Sequence, residues 1–170
     1  MQNILETERL LLRQFTLDDS TFILKLLNTD TWVRFIGDRK IKSIEDARQY
    51  LLNGPIKSYQ VNGFGLSLVA LKDSGEPIGM CGILKRDTLN APDIGYALLP
   101  DYEGQGYAFE IAKATVTYAL QTLHMPQILA ITKADNERSV KLLHKLDFRF
   151  EKMLKLNVDG EELMLFAASA

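Results

Sequence analysis

The 170-residue chain is long enough to bury the core of one domain, and its 46% hydrophobic and 25% charged residues are typical of a globular protein. Its net charge of −2 argues against a general nucleic-acid binder, which normally carries a clustered basic excess. A single cysteine, Cys81, excludes an internal disulfide. The sequence shows neither a signal-peptide pattern nor an apolar run that could cross a bilayer. We therefore expect one cytoplasmic domain over residues 1–170, without membrane contact.

The first part of the chain is predicted to form one strand and two helices. Residues 9–13 are predicted as the strand, and Thr16 then caps a helix whose apolar positions recur at helical spacing as far as Leu27. The stretch 31–37 shows no regular pattern. Ser43 caps a second helix, which Gly54-Pro55 is expected to end.

The rest of the chain alternates between strands and helices. Three strands come first, and a short turn joins the first two into a hairpin. A helix, a buried strand, a second helix and two closing strands follow. The predicted ranges, in that order, are 65–71, 78–84, 93–99, 105–123, 128–132, 137–146, 148–157 and 161–167. This order predicts a mixed α/β (α+β) fold with one largely antiparallel sheet flanked by helices.

The segment that joins the third of these strands to the long helix carries the main functional signal. Its short loop holds Gly104 and Gly106, and a helix then begins. Unpaired N–H groups at a helix start attract anions, and glycines leave room for them to approach. The missing third glycine argues against a dinucleotide fold, and the absence of Gly-Lys-Ser/Thr argues against a P-loop. From spacing alone, a phosphate site and a plain strand-to-helix turn remain equally open.

The residues around this loop resemble a known family. Gly104-Gln105-Gly106-Tyr107-Ala108 is similar to the acetyl-coenzyme A loop of the GNAT superfamily of N-acetyltransferases, although Glu103 stands where that loop usually has Arg or Gln. The resemblance extends over nearly the whole chain and includes the branch of ribosomal-protein N-terminal acetyltransferases. It rests on Glu8-Arg9-Leu10-Leu11-Leu12-Arg13, Asp93-Ile94-Gly95-Tyr96 and Asn136-Glu137-Arg138-Ser139. Asp147 replaces the glycine of the family's Leu-Gly-Phe.

This resemblance implies a GNAT-like fold and direct transfer of an acetyl group from acetyl-coenzyme A to a primary amine in a ternary complex. The backbone of Leu98 and Leu99 would hold the acetyl carbonyl, and Asn136 would contact the pantetheine arm. The pyrophosphate would be bound by Gly104, Gln105, Gly106, Tyr107 and Ala108.

Ser139 is the candidate general acid, because Leu143 stands where many relatives have a catalytic tyrosine. Ser139 also fits a plain position in the first turn of a helix capped by Asn136. Asp93, which opens the central strand, is the candidate base acting through water, and Glu76 is a less favoured choice.

The acceptor is expected to be an amine of low pKa, because no strong base is evident. Freeing an α-amine of pKa about 8 at pH 7 costs about 1.4 kcal/mol, whereas freeing a lysine costs about 4.6 kcal/mol. A peptide N-terminus or a small molecule could supply such an amine. Trp32 and Arg34 lie in the region that walls the acceptor cleft in the resembling family, although scattered aromatic residues also occur in cores.

Other chemistry is weakly supported by the sequence. Cys81 lies in an apolar strand, as expected of a buried structural thiol, and one cysteine with two histidines makes a zinc site improbable. The departures at Glu103, Leu143 and Asp147 leave a non-catalytic acyl-coenzyme A binding or sensing module as the alternative function. We expect no direct contact with nucleic acid, and a monomer or homodimer.

Overall fold

A computed structural model describes residues 2–170, whose strands join in one open sheet. The strand order is β1-β2-β3-β4-β5-β6-β8-β7, and all neighbours are antiparallel except β5 and β6. This arrangement confirms the predicted mixed, largely antiparallel sheet. The strands are β1 (Asn3–Glu6), β2 (Leu10–Arg13), β3 (Leu66–Leu71), β4 (Pro77–Leu84), β5 (Asp93–Leu98), β6 (Gln127–Thr132), β7 (Arg149–Leu154) and β8 (Leu163–Ser169).

Helices cover both faces of this sheet, and each face has its own apolar core. They are α1 (Ser20–Leu26), α2 (Asp30–Phe35), α3 (Ile44–Leu51), α4 (Lys57–Asn62), α5 (Tyr107–Thr117) and α6 (Glu137–Lys145). On one face, Ile111 of α5 and Leu143 of α6 pack with strand residues such as Ile94. On the other, Ile23 of α1 and Leu51 of α3 pack with residues from β3 and β4. None of the helices described within residues 2–170 is long and apolar enough to cross a membrane.

Two elements near the N-terminus were not predicted. The strand β1 pairs with β2 at the sheet edge, and its four residues alternate too little in polarity to stand out. The helix α2 occupies most of the stretch 31–37, whose sequence pattern is less regular than that of the predicted helices. Its N-cap is Thr29, whose hydroxyl accepts a bond from the Trp32 amide at 3.3 Å. Tertiary packing of Trp32, which is only 5% exposed, favours this short helix despite its weak local pattern.

The prediction that Gly54-Pro55 ends the second helix is wrong. A wide helical turn, Leu52–Ile56, accommodates Pro55 and leads into α4, which ends at Gly63 with a φ of 78°. Proline lacks an N–H group, and the widened turn tolerates that loss because its hydrogen bonds already depart from the α-helical pattern. The closing strands are also shifted, since residues 155–162 form a connection longer than the predicted turn.

The two parallel strands in the middle of the sheet are paired only at their beginning. Asp93 opposite Leu129 is their one paired position, and the Leu129 amide donates to the Pro92 carbonyl at 2.8 Å. Beyond that point β5 and β6 separate. The sheet therefore has a gap at its centre, next to the carboxyl end of β5.

Candidate active site

A large open cleft of about 1920 Å³ runs along this gap. Its walls come from β5, the starts of α5 and α6, the helices α2 and α4, and the segment after β4. Most of the predicted site residues line it: Trp32, Arg34, Asp93, Leu98, Gly104, Gly106, Ala108, Asn136 and Ser139. The tertiary structure thus brings together residues that are far apart in sequence.

The glycine loop has the backbone geometry of an anion site. Gly104 and Gly106 have φ angles of 72° and 83°, in the left-handed region that glycine adopts readily. The first intrahelical bond of α5 runs from the Glu110 amide to the Gly106 carbonyl at 3.1 Å. The preceding amides, including that of Ala108, have no intrahelical acceptor and lie at the positive end of the helix dipole. This geometry fits a pyrophosphate.

An arginine from the start of the chain braces this loop from behind. The Arg9 guanidinium donates to the Gln105 carbonyl at 3.1 Å and to the Glu110 carboxylate at 2.7 Å. It also lies 4.3 Å from the centre of the Tyr107 ring. The predicted residues Gln105 and Tyr107 therefore lie on the supporting side of the loop, outside the lining of the cleft. The sequence contained no local signal for this role of Arg9.

The acidic residue in the loop has a partner. The Glu103 carboxylate accepts a bond from the Arg138 guanidinium of α6 at 2.6 Å. This ion pair balances the negative charge that would otherwise oppose a phosphate nearby. It also accounts for Glu103 at a position where related loops have Arg or Gln.

The backbone of β5 presents donors to the central gap. The Leu99 amide donates to Ile78 at 2.8 Å and so points towards β4. Because N–H directions alternate along a strand, the amides of Tyr96 and Leu98 point the other way, towards the gap. Leu98 is thus placed to donate to a carbonyl there. The amide of Leu99 is already paired, and its side chain is buried in the core.

A pair of hydroxyl groups lies on the α6 side of the gap. The Ser139 Oγ and the Tyr96 hydroxyl are 2.7 Å apart, and burial raises the pKa of Tyr96 to about 12, against the opposing effect of the bond to Ser139. The Asn136 side chain caps α6 by accepting from the Ser139 amide at 3.3 Å. Leu143, at the position of the absent family tyrosine, is buried in the core. A tyrosine from β5 therefore lies beside Ser139, a contact that sequence spacing could not indicate.

A buried carboxylate lies at the start of β5. Asp93 is only 1% exposed, and the Arg86 Nε lies 3.1 and 3.2 Å from its two oxygens. Burial raises the pKa of Asp93 to about 6, although the charge of Arg86 acts in the opposite direction. Side chains alternate between faces along a strand, so Asp93 and Tyr96 point to opposite faces of the sheet. Glu76, the less favoured base, is exposed in the β3–β4 turn, outside the lining of the cleft.

The part of the cleft around Trp32 and Arg34, the predicted acceptor end, is formed mainly by side chains. Trp32 is nearly buried, and its indole nitrogen has no hydrogen-bond partner among residues 2–170. Arg34 is exposed, with its guanidinium 4.7 Å from the centre of the Phe35 ring. The Lys133 ammonium ties this region to the end of the sheet by bonding to the Arg34 carbonyl at 3.0 Å and to Glu161 at 2.8 Å.

The groups available for other chemistry are few. Cys81 is fully buried, as predicted, and burial raises the pKa of its thiol to about 12. A neutral thiol is a poor nucleophile. Within the described range 2–170, His, Cys, Asp and Glu side chains do not gather into a group of three or more that could hold a metal ion.

Comparisons with known proteins show the family and the fold of this chain. The chain is 32% identical to the uncharacterised N-acetyltransferase YoaA of Bacillus subtilis over 89% of this chain and 86% of that protein. It is also 32% identical to the ribosomal protein uS5-alanine N-acetyltransferase of Escherichia coli, over 52% and 48% of the two chains. The fold matches RimL, a ribosomal L7/L12 α-N-protein acetyltransferase solved with coenzyme A, with a TM-score of 0.83 at 21% identity over 99% and 98% of the chains.

The family itself is shown by a match of residues 9–149 to the acetyltransferase (GNAT) domain. This match covers both the glycine loop and the Asn136-Ser139 helix start. The chain therefore belongs to the GNAT acetyltransferases and is an enzyme that transfers an acetyl group from acetyl-coenzyme A to an amine.

Proposed function

We propose that this enzyme acetylates the α-amine at a peptide or protein N-terminus by direct attack on acetyl-coenzyme A in a ternary complex. The observation that carries the proposal is the gap between β5 and β6, which has the Ser139–Tyr96 pair on one face of the sheet and Asp93 on the other. An acid and a base on opposite faces suit a reaction whose two substrates enter from opposite sides.

Backbone groups would form most of the contacts that hold acetyl-coenzyme A. The glycine loop, braced by Arg9, would bind the pyrophosphate, and Asn136 would lie along the pantetheine arm. The Leu98 amide would donate to the acetyl carbonyl oxygen, where negative charge develops as the amine attacks. A fixed donor at that place stabilises the transition state more than the ground state.

Proton transfer then completes the exchange. The new C–N bond forms as the C–S bond breaks, and the amine loses one proton, which Asp93 would accept through a water molecule. The leaving sulfur would receive a hydrogen bond from Ser139, whose Oγ is held by Tyr96. A carboxylate with a pKa of about 6 is ionised at neutral pH and can perform this role.

Charge at the acceptor end favours an α-amine over a polyamine. Arg86 pairs with Asp93, and both Arg39 and Arg86 act electrostatically on the Tyr50 hydroxyl, so two guanidinium groups lie in this part of the cleft. Such a site repels a multiply charged cation more than a peptide N-terminus with one amine of lower pKa. Two similar proteins are named as acetyltransferases of ribosomal proteins, one as a uS5-alanine N-acetyltransferase and the other as an L7/L12 α-N-protein acetyltransferase. We also expect a cytoplasmic enzyme that is a monomer or homodimer.

The test is the release of free thiol from acetyl-coenzyme A with three kinds of acceptor. These are peptides with free N-termini, the same peptides with a blocked N-terminus and one lysine, and spermidine. We expect turnover at least about tenfold faster for the free N-termini, because their amines are deprotonated more easily. Faster reaction of lysine or spermidine would contradict the proposal. Coenzyme A binding without turnover across the panel would favour the non-catalytic module.

A further inference from the structure

The part of the cleft around the proposed base is lined by an excess of positive charge. Among residues 29–93, five cationic side chains line the cleft but only two carboxylates do, and one of these, Asp93, is already paired. The chain as a whole has a net charge of −2, so the excess is local. The five cations are Arg34, Arg39, Lys57, Lys85 and Arg86.

This local charge indicates what kind of acceptor the cleft favours. An α-amine of pKa about 8 is largely protonated at neutral pH, so it is repelled by a positive surface. A carboxylate close to that amine is attracted by the same surface, and it offsets the repulsion. The attraction acts over a Debye length of about 10 Å. The charge of the cleft therefore favours an acceptor that carries its own acidic group.

Three donors in this wall are free to bind a carboxylate. Arg39, in the segment between α2 and α3, is exposed and forms no ion pair with any residue between 2 and 170. Arg86 uses its Nε for Asp93, and its two terminal nitrogens form no hydrogen bond within the same range. The hydroxyl of Tyr50, on α3, also has no hydrogen-bond partner among the described residues.

The Tyr50 hydroxyl lies within the electrostatic reach of both arginines. Burial raises the pKa of Tyr50, against the opposing charges of Arg39 and Arg86, so the hydroxyl keeps its proton and can donate it to an anion. A side pocket of about 430 Å³ adjoins the cleft, because Arg39 and Tyr50 line both. The carboxylate in the wall of this pocket, Asp46, already accepts bonds from the amides of Lys42 and Ser43.

The position of Arg86 limits where the carboxylate lies in the acceptor. The Arg86 Nε is 3.1 Å from Asp93, the proposed base that takes the amine proton through water. A carboxylate bound by the terminal nitrogens of the same guanidinium is therefore close to the amine. An extended peptide advances about 3.5 Å per residue, so one or two residues separate the two groups.

We infer that Arg39 and Tyr50, together with the free nitrogens of Arg86, bind an acidic side chain of the acceptor, which is a peptide with Asp or Glu at its second or third position. This inference rests on the proposed acetylation of N-terminal α-amines and names the substrate class within it. The site gives a preference of about tenfold for such a peptide over its uncharged analogue, since an exposed ion pair contributes a few-fold and a charge-assisted hydrogen bond adds to it.

The experiment compares peptides that begin Ala-Glu-Glu, Ala-Gln-Gln or Ala-Lys-Lys and are otherwise identical. Wild type should acetylate the Glu peptide with a kcat/KM about tenfold above that of the Gln peptide, mainly through a lower KM, and the difference should shrink as salt is added. The Lys peptide should react more slowly than the Gln peptide. Arg39→Gln should reduce the preference to about twofold, and Tyr50→Phe should reduce it in part.

Arg149→Gln is the matched control, because it removes the same charge from an exposed arginine outside the cleft. It should keep the full preference. Equal kcat/KM for the Glu and Gln peptides in wild type, or an Arg39→Gln variant that weakens both equally, would overturn the inference while leaving N-terminal acetylation intact. Faster acetylation of free glutamate than of the Glu peptide would overturn the assignment to a peptide.

A binding measurement separates this inference from the proposed function. If no free N-terminus is acetylated, the proposed function fails, and a titration of the coenzyme A complex with the Glu and Gln peptides still tests the carboxylate site. Tighter binding of the Glu peptide that Arg39→Gln removes would support the site, and equal binding of the two peptides would overturn it.

Discussion

The two ends of the active-site cleft are built in different ways. At the proposed cofactor end the candidate binding groups belong to the backbone: the left-handed Gly104 and Gly106, the amides at the start of α5 that have no intrahelical acceptor, and the Leu98 amide. At the proposed acceptor end the candidate groups are side chains, such as Trp32 from α2 and Arg86 from the segment after β4.

This difference explains why the two ends are so unequally visible in the sequence. A site made of backbone groups needs particular conformations, and glycine at fixed spacing records them. A site made of side chains needs only that several distant segments meet. The first kind can be recognised from a few adjacent residues, and the second kind cannot.

The largest expected effect comes from breaking the backbone site. Gly106→Val places a branched side chain at a φ of 83° and puts its Cβ about 3.3 Å from the Arg9 guanidinium. We expect the affinity for coenzyme A to fall about 100-fold, since several converging amides move together. Calorimetry or equilibrium dialysis on the folded variant measures this.

Gly75→Val is the control for backbone strain. Gly75 has a φ of 73° in the β3–β4 turn, with open space around it, and it is not part of the cleft. The Gly75→Val variant should lose about as much free energy of unfolding as Gly106→Val, but it should keep its affinity for coenzyme A. Normal binding by folded Gly106→Val would show that the pyrophosphate lies elsewhere.

The second-largest expected effect comes from removing the proposed base, Asp93, at the acceptor end. Asp93→Asn should lower kcat about 100-fold and leave the affinity for coenzyme A unchanged. Because burial raises the pKa of Asp93 to about 6, its carboxylate is present above that pH and is lost as the pH falls through it. In wild type, the plot of log kcat/KM against pH should steepen from slope one to slope two below pH about 6, because the amine and Asp93 both take up protons. The variant should keep slope one, and equal slopes in both proteins would dismiss Asp93 as the base.

A smaller effect on kcat is expected from removing either of the two paired hydroxyl groups, those of Ser139 and Tyr96. Ser139→Ala and Tyr96→Phe should each lower kcat about tenfold, because the thiol is a good leaving group and needs only modest help. The double variant should lose little more than either single one, since the two hydroxyls act as a unit. Steady-state rates on all three variants provide the measurement. Additive losses would mean that the hydroxyls act independently.

The smallest expected effect is a change in the stability of the protein, caused by a residue outside the cleft. Asp147 follows α6 with a φ of 63°, the conformation that favours the glycine found there in the resembling family. Asp147→Gly should raise the free energy of unfolding by about 0.5–1 kcal/mol and leave activity unchanged. Urea denaturation measures the change. Asp147→Ala is the comparison and should not share the gain, because alanine also resists a positive φ.

Local patterns predicted most elements of the fold but failed in specific places. The strands before and after the glycine loop were evident because their apolar residues are bounded by turns. The strand β1 and the helix α2 are too short to show a period, and their formation depends on pairing with β2 and on the burial of Trp32. Pro55 was expected to end a helix, yet a wide turn lets the chain continue as a helix.

The amino-acid sequence by itself determined the order of the elements, the glycine loop and the likeness to acetyltransferases. These features depend on neighbours along the chain, which a linear pattern records. Only the tertiary structure decided that Arg9 braces the loop, that Arg138 balances Glu103 and that Tyr96 holds Ser139. It also decided that Asp93 and Ser139 approach the gap from opposite faces. The contacts made by Arg9, Arg138 and Tyr96 join residues 35 to 96 positions apart. Only the folding of the sheet brings such distant residues within hydrogen-bond distance.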